Sequence, residues 1–295
     1  MKWEDELSRL AEMINCALEG YLPASSVYPP SIHEAMRYSL FAGGKRLRGA
    51  FTIAVARIFG VEEKRVLPAA GALEMIHTYS LIHDDLPAMD DDDYRRGKPT
   101  CHKVFGEAIA ILAGDALLTR AFEILCLLQE EGFAERTVLQ VVQEIARAAG
   151  SLGMIGGQVV DLESEGLAVS KETLEYIHRH KTGALFLAAV RSGALLGAAP
   201  EDELQALTEY ARAFGLCYQI IDDLLDITGD EKLLGKKTGR DLAKKKATYP
   251  ALLGTEQAKK LAVEQVKICQ QSLAPFGPQA DFLKDAAFYL LSRKS

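Results

Sequence analysis

The chain has 295 residues, 48% of them hydrophobic, enough to bury a large core in one big unit or two ordinary ones. A net charge of −7 with no basic block excludes general nucleic-acid binding, which needs a clustered Lys/Arg surface, so an anionic partner requires a local site. Five scattered cysteines without a C-x-x-C pair exclude a disulfide framework and a zinc site, and are expected of a reducing, cytoplasmic compartment.

In chain order, MKWEDELSRL is acidic and amphipathic, unlike the basic-then-apolar start of a signal or transit peptide. No window reaches eighteen apolar residues without charge, so no membrane span is expected. After the turn at SSVYPPS comes AGGKRLRGA, where Gly43 and Gly44 permit unusual dihedrals and close backbone approach. It lacks the G-x-x-x-x-G-K-[ST] spacing of a P-loop, and no strand precedes it. The apolar segment GALEMIHTYSLIHDDL reads as a helix that runs straight into an acidic stretch. Between Pro99 and Pro200 there is no proline, which favours long helices. Apolar residues recur at three and four, not two, in VVQEIARAAGSLGMIGGQVVDLESE and LQALTEYARAFGLCYQIIDDLLDI. Ser170 before KETLEYI and Pro200 before EDELQAL mark two helix starts. No alternating strand pattern is evident. The expectation is one all-α domain over residues 1–295, built from roughly ten helices.

Two acidic clusters stand out. HDDLPAMDDDDYRRGKPT sets six aspartates within ten residues, at the end of an apolar helix. Two carboxylates ~4 Å apart repel by roughly 4 kcal/mol at an effective dielectric of ~20, so a compensating cation is needed beside a core. Asp84 and Asp90 are six apart, and Pro87 ends the helix between them so that the chain can bring Asp90 back. In YQIIDDLLDITGD, Asp222 and Asp226 are four apart and share a helix face. Magnesium, held by one or two carboxylates plus substrate phosphates, suits two facing aspartate sets. An EF-hand does not fit, with Tyr94 at the fifth loop position and no glutamate at the twelfth.

Basic groups occur beside both clusters: Lys45, Arg46 and Arg48; Arg95 and Arg96; Lys181; and Lys236, Lys237 and Lys244 to Lys246. Arg grips phosphate bidentately and Lys supplies a point charge, so the mixed set suits two anionic substrates, one of them metal-bridged. His77 lies two turns before Asp84 on one helix face and is placed to reach an anion, whereas His83 reads equally well as a packing residue.

These motifs, GGKRLR, DDLPAMD, RRGKPT, GDALL, GGQVVDL, KTG, YQIIDDLLD and GKKTGRD, resemble those of the trans-prenyltransferases (isoprenyl diphosphate synthases), most closely bacterial-type farnesyl diphosphate synthases. The resemblance implies a helical bundle around a deep apolar cavity and a homodimer. It implies three Mg²⁺ ions with the allylic diphosphate, held by Asp84, Asp90 and Asp222 and supported by Asp85 and Asp226. It places Lys181, Lys236 and Arg95 on dimethylallyl or geranyl diphosphate, and Lys45, Arg48, His77 and Arg96 on isopentenyl diphosphate, with Lys246 closing over the site. Thr182 and Gln219 would stabilise the allylic cation. The released diphosphate would take the proton.

Tyr79 lies five residues before Asp84, ~7.5 Å deeper along the helix, where the family pattern associates an aromatic ring with stopping at the C15 farnesyl product. A smaller residue there would suit geranylgeranyl synthesis, and a non-catalytic prenyl synthase subunit would have lost acidic ligands that this chain keeps. Two departures from the pattern are Gly49, where proline is usual, and Ile221, where a polar residue is usual.

Overall fold

The computed structural model describes residues 2–228 and 248–293, without the side chain of Thr228. Among the described residues there are fourteen α-helices. In chain order these are α1 (Trp3–Tyr21), α2 (Pro30–Leu40), α3 (Leu47–Ile58), α4 (Leu67–Asp84), α5 (Cys101–Phe105), α6 (Glu107–Leu125) and α7 (Glu135–Ala149). There follow α8 (Met154–Glu163), α9 (Lys171–Ile177), α10 (Ala184–Leu196), α11 (Glu201–Thr228), α12 (Tyr249–Leu253), α13 (Thr255–Ser272) and α14 (Asp281–Ser292). A π-helical turn, His178–Gly183, joins α9 to α10.

The expected all-α architecture is observed, with more short helices than the periodicity resolves. One strand pairing corrects the strand-free expectation: β1 (Tyr94–Arg95) and β2 (Lys98–Pro99) form a two-residue antiparallel ladder. Its turn is Arg96–Gly97, both with positive φ, as a tight hairpin turn requires. Four residues without β-branched alternation carry no period-2 signal, so only the turn geometry reveals them.

α3 and α10 are buried nearly all round, in keeping with sequences that are apolar on every face. They pack closely: a Cβ on Gly193 of α10 would lie 2.9 Å from the Val55 Cβ of α3. α4 packs on α3 and α6, and α11 on α10 and α13, so the two helices with acidic ends flank the core. Both expected helix starts are found. The Ser170 hydroxyl accepts the Thr173 N–H at 3.2 Å, and α11 opens on Glu201, Asp202 and Glu203.

Gly49 has a local reason. Its N–H donates to buried Glu74 at 3.0 Å, a bond proline could not make. An added Cβ would lie 2.9 Å from Ile14 Cδ1 and 3.1 Å from the Ala70 carbonyl oxygen, so α3 sits hard against α4 here. Ile221 is buried in the apolar core. Arg46, with a left-handed backbone, serves the fold: it donates to Asn15 Oδ1 at 2.9 Å and to the Leu40 carbonyl at 2.5 Å.

Candidate active site

A cavity of about 830 Å³ opens between α4, α8, the π-turn and α11, within the usual range for a small-molecule site. α4 ends at Asp84, just short of Pro87, where the residue before proline cannot stay helical. The chain then folds back: the Asp90 N–H donates to the Asp84 carbonyl at 2.8 Å, and the Asp92 N–H to the Asp85 carbonyl at 3.1 Å. This return, which the break at Pro87 allows, brings Asp90 beside Asp84 on the cavity wall. Asp222 and Asp226 line the opposite side from α11.

Burial pushes the Asp84 carboxyl above its ordinary range; Lys181 draws it back and Asp90 adds to the rise. A partly desolvated carboxylate pair of this kind favours a bound cation. Among the described residues no three His, Cys, Asp or Glu side chains converge as a closed metal cage. Magnesium shared between one or two carboxylates and substrate phosphates needs no such cage, so the donor set fits that ion.

Asp85 departs from expectation. It is 3% exposed, lies off the cavity wall, and holds Arg95 through Nε at 2.8 Å and Nη2 at 2.6 Å. Its place one residue after Asp84 on a helix end turns it away from the cavity, so it supports Arg95 instead of reaching a metal. Burial works most strongly against the Arg95 charge, yet the Asp85 hydrogen bonds together with the charges of Asp85, Asp84 and Asp90 outweigh it and hold the guanidinium above its ordinary value.

Lys45 also lies elsewhere. Its ammonium donates to the Tyr289 hydroxyl at 3.1 Å, and the residue lines a small second pocket with Trp3 and Phe214. Tyr218 and Arg293 line both pockets. Arg48, His77, Arg95 and Arg96 are on the main wall. Arg48 lies 4.7 Å over the Phe186 ring, and its Nε is buried without a hydrogen-bond partner among the described residues. Burial, then Arg48 and Arg96, hold His77 well below the ordinary imidazole range, so it is neutral in this state. Arg96 donates to the Gly43 carbonyl, and a Cβ on Gly44 would lie 2.8 Å from the Arg96 Cζ. The glycine pair thus provides a seat for the guanidinium.

Lys181 and Thr182 project from the π-turn, a helix irregularity frequent at functional sites. Two glycines clasp that turn. A Cβ on Gly157 of α8 would meet the His180 carbonyl carbon at 2.8 Å, and one on Gly215 of α11 the Gly183 Cα at 2.9 Å. Lys181 Nζ reaches Asp161 at 2.6 Å, and the Thr182 hydroxyl donates to Gln219 Oε1 at 2.8 Å. Tyr79 lies in the wall with its ring 5.7 Å from His83, edge to face, and its hydroxyl buried without a partner among the described residues. Burial, with Asp84 adding, pushes that hydroxyl up to about 12. His83 packs instead: its Nε2 is 3.0 Å from the Ile111 carbonyl. Lys236 and Lys246 lie outside the described residues.

Sequence reasoning missed several wall residues. Gln158 and Asp161 of GGQVVDL, three apart on one face, carried a findable helical signal. Arg293, whose Nη2 is 3.5 Å from Asp222 Oδ1, carried none, because the pair is 71 residues apart (293 − 222). His178 and Asp223 were hidden beside better-known neighbours.

Residues 29–274 match the polyprenyl synthetase family. The chain is 46% identical over 297 residues to the farnesyl diphosphate synthase of Escherichia coli K12, covering 99% of both. It is 48% identical over 270 residues to a chloroplastic geranylgeranyl pyrophosphate synthase of Catharanthus roseus, covering 91% of this chain and 75% of the relative. The crystal structure of an FPP/GFPP synthase from Zymomonas mobilis superposes with a TM-score of 0.87 at 38% identity, covering 98% of each chain. A cavity walled by two facing aspartate motifs, on an all-helical fold shared with the solved Zymomonas mobilis enzyme over 98% of each chain, makes the chain a prenyltransferase that belongs to the polyprenyl synthetase family.

Proposed function

We propose that this prenyltransferase condenses isopentenyl diphosphate with dimethylallyl and then geranyl diphosphate, in the presence of Mg²⁺, and releases farnesyl diphosphate. The observation that carries the product length is Tyr79, a bulky ring in the cavity wall one and a half turns below Asp84. Asp84, Asp90 and Asp222 would hold the metal, with Asp226 beside them. Bound Mg²⁺ supplies charge that favours departure of diphosphate. Lys181 and Arg95 gather the allylic diphosphate; Arg48, His77 and Arg96 hold the second anion, which the Arg48 Nε, unpartnered among the described residues, invites. Thr182 and Gln219 face the carbon where cationic charge develops. Lys236 and Lys246 keep their proposed anion contacts, and Lys45 would act only from the neighbouring pocket.

A geranylgeranyl product is the second reading, favoured by the 48% identity to the Catharanthus roseus enzyme. The reading includes a homodimer, supported by the exposed Ile111, Leu112 and Leu139 on α6 and α7, and a cytoplasmic location. No described helix is long and apolar enough to cross a membrane. The test is incubation with both substrates and Mg²⁺, followed by dephosphorylation and chain-length analysis. A C15 alcohol is expected; a C20 alcohol overturns the product assignment, and no diphosphate release overturns the reaction.

A further inference from the structure

Asp223, the second aspartate of DDLLD, borders the cavity, but its carboxylate is taken up by a buried network. It is 2% exposed. Its Oδ1 accepts from Gln219 Nε2 at 3.0 Å, one helical turn back on α11. Its Oδ2 accepts the Tyr249 N–H at 3.0 Å and lies 3.2 Å from His178 Nε2, whose ring packs over Tyr249 at 5.3 Å. One carboxylate therefore joins α11, the first residue of the π-turn and the start of α12.

The hydrogen-bond directions follow from chemistry. An ionised carboxylate only accepts, so the Gln219 amide must present its NH₂ to Asp223 and its carbonyl oxygen to Thr182. Thr182, 2.8 Å away, must then donate its only proton to that oxygen. Its lone pairs are left facing the cavity that both residues line. We infer that Asp223 is a positioning residue that sets the polarity of the Gln219–Thr182 pair, so that an electron-rich oxygen faces the developing allylic cation. This rests on the reaction proposed above.

Asp223→Asn tests it with almost no change of shape. The buried Tyr249 N–H retains the asparagine oxygen, which turns the new NH₂ toward Gln219. Gln219 then flips, its NH₂ faces Thr182, and the Thr182 proton points into the cavity. The variant should lose about a hundredfold in kcat, the scale of one misdirected preorganised dipole, with KM for both substrates within about threefold. Affinity for an aza analogue of geranyl diphosphate, protonated at the position of the cationic carbon, should fall with kcat. Affinity for geranyl thiolodiphosphate, a ground-state mimic, should hold. In a Gln219→Leu background Asp223→Asn should cost nothing more, and Thr182→Val should restore part of the activity lost in Asp223→Asn.

An unchanged kcat, a loss carried by KM, or a loss that multiplies with Gln219→Leu overturns the positioning role. Should Asp223→Asn not fold, neutron diffraction of the wild-type protein decides: the Thr182 deuterium must lie toward Gln219, and one pointing into the cavity overturns the inference. Wild-type protein that releases no diphosphate sinks the reaction itself, whereas an active wild type with an indifferent Asp223→Asn sinks only the role of Asp223.

Discussion

The Tyr79 ring lies in the cavity wall, flanked by His83, whose imidazole is in turn seated over Gly114. Because helix rise places it a fixed depth below Asp84, replacing it changes depth without touching the charged rim. Tyr79→Ala is expected to shift the main product by one or more C5 units while diphosphate release stays within about tenfold of wild type; chain-length analysis of the products checks this. The position of Tyr79 was readable from its five-residue offset and the helical period. That Asp85 serves Arg95 was not, since adjacent aspartates look alike until the end of α4 is known.

At the scale of elements, the π-turn depends on its neighbours more than on its own residues. HRHKTG carries no local signal for an i→i+5 turn; the glycine notches of α8 and α11 let the wide turn pack between them. Gly157→Ala would push its methyl into the backbone at His180 and Lys181. The expected cost is about 1–3 kcal/mol of stability from overpacking, with kcat reduced more than KM because Lys181 and Thr182 shift together. Thermal melts and steady-state kinetics on the variant measure both. The glycines were visible in the sequence in GGQ and FGL, but their partners were not, because the contacts join segments more than twenty residues apart.

For the whole molecule, the acidic cavity bears on folding. The Asp84 carboxyl is raised in the folded state, first by burial and then by Asp90, against the pull of Lys181. A raised folded value means that stability is fully present below the ordinary value near 3.8 and is lost as pH rises through the folded value. At pH above the ordinary value Asp84 therefore opposes folding. Asp84→Asn should raise Tm by a few degrees at pH 7.5 in EDTA, with the gain vanishing toward pH 3, and should abolish any stabilisation by Mg²⁺ with a diphosphate. Thermal melts across pH, with and without both ligands, report it. The sequence by itself determined the helical class, the two aspartate motifs and most cationic wall residues, because helical period, proline breaks and charge clustering are local properties. Only the tertiary structure decided that Arg46 serves the fold, that Lys45 sits in a neighbouring pocket, that Arg293 reaches Asp222, and that Asp223 braces the π-turn. Those outcomes depend on which distant backbones come close enough to exchange a hydrogen bond, and a linear pattern does not encode that distance. The acidic run from Asp84 to Asp93 is thus a folded-back wall, with Asp84 and Asp90 on the cavity and Asp85 behind it.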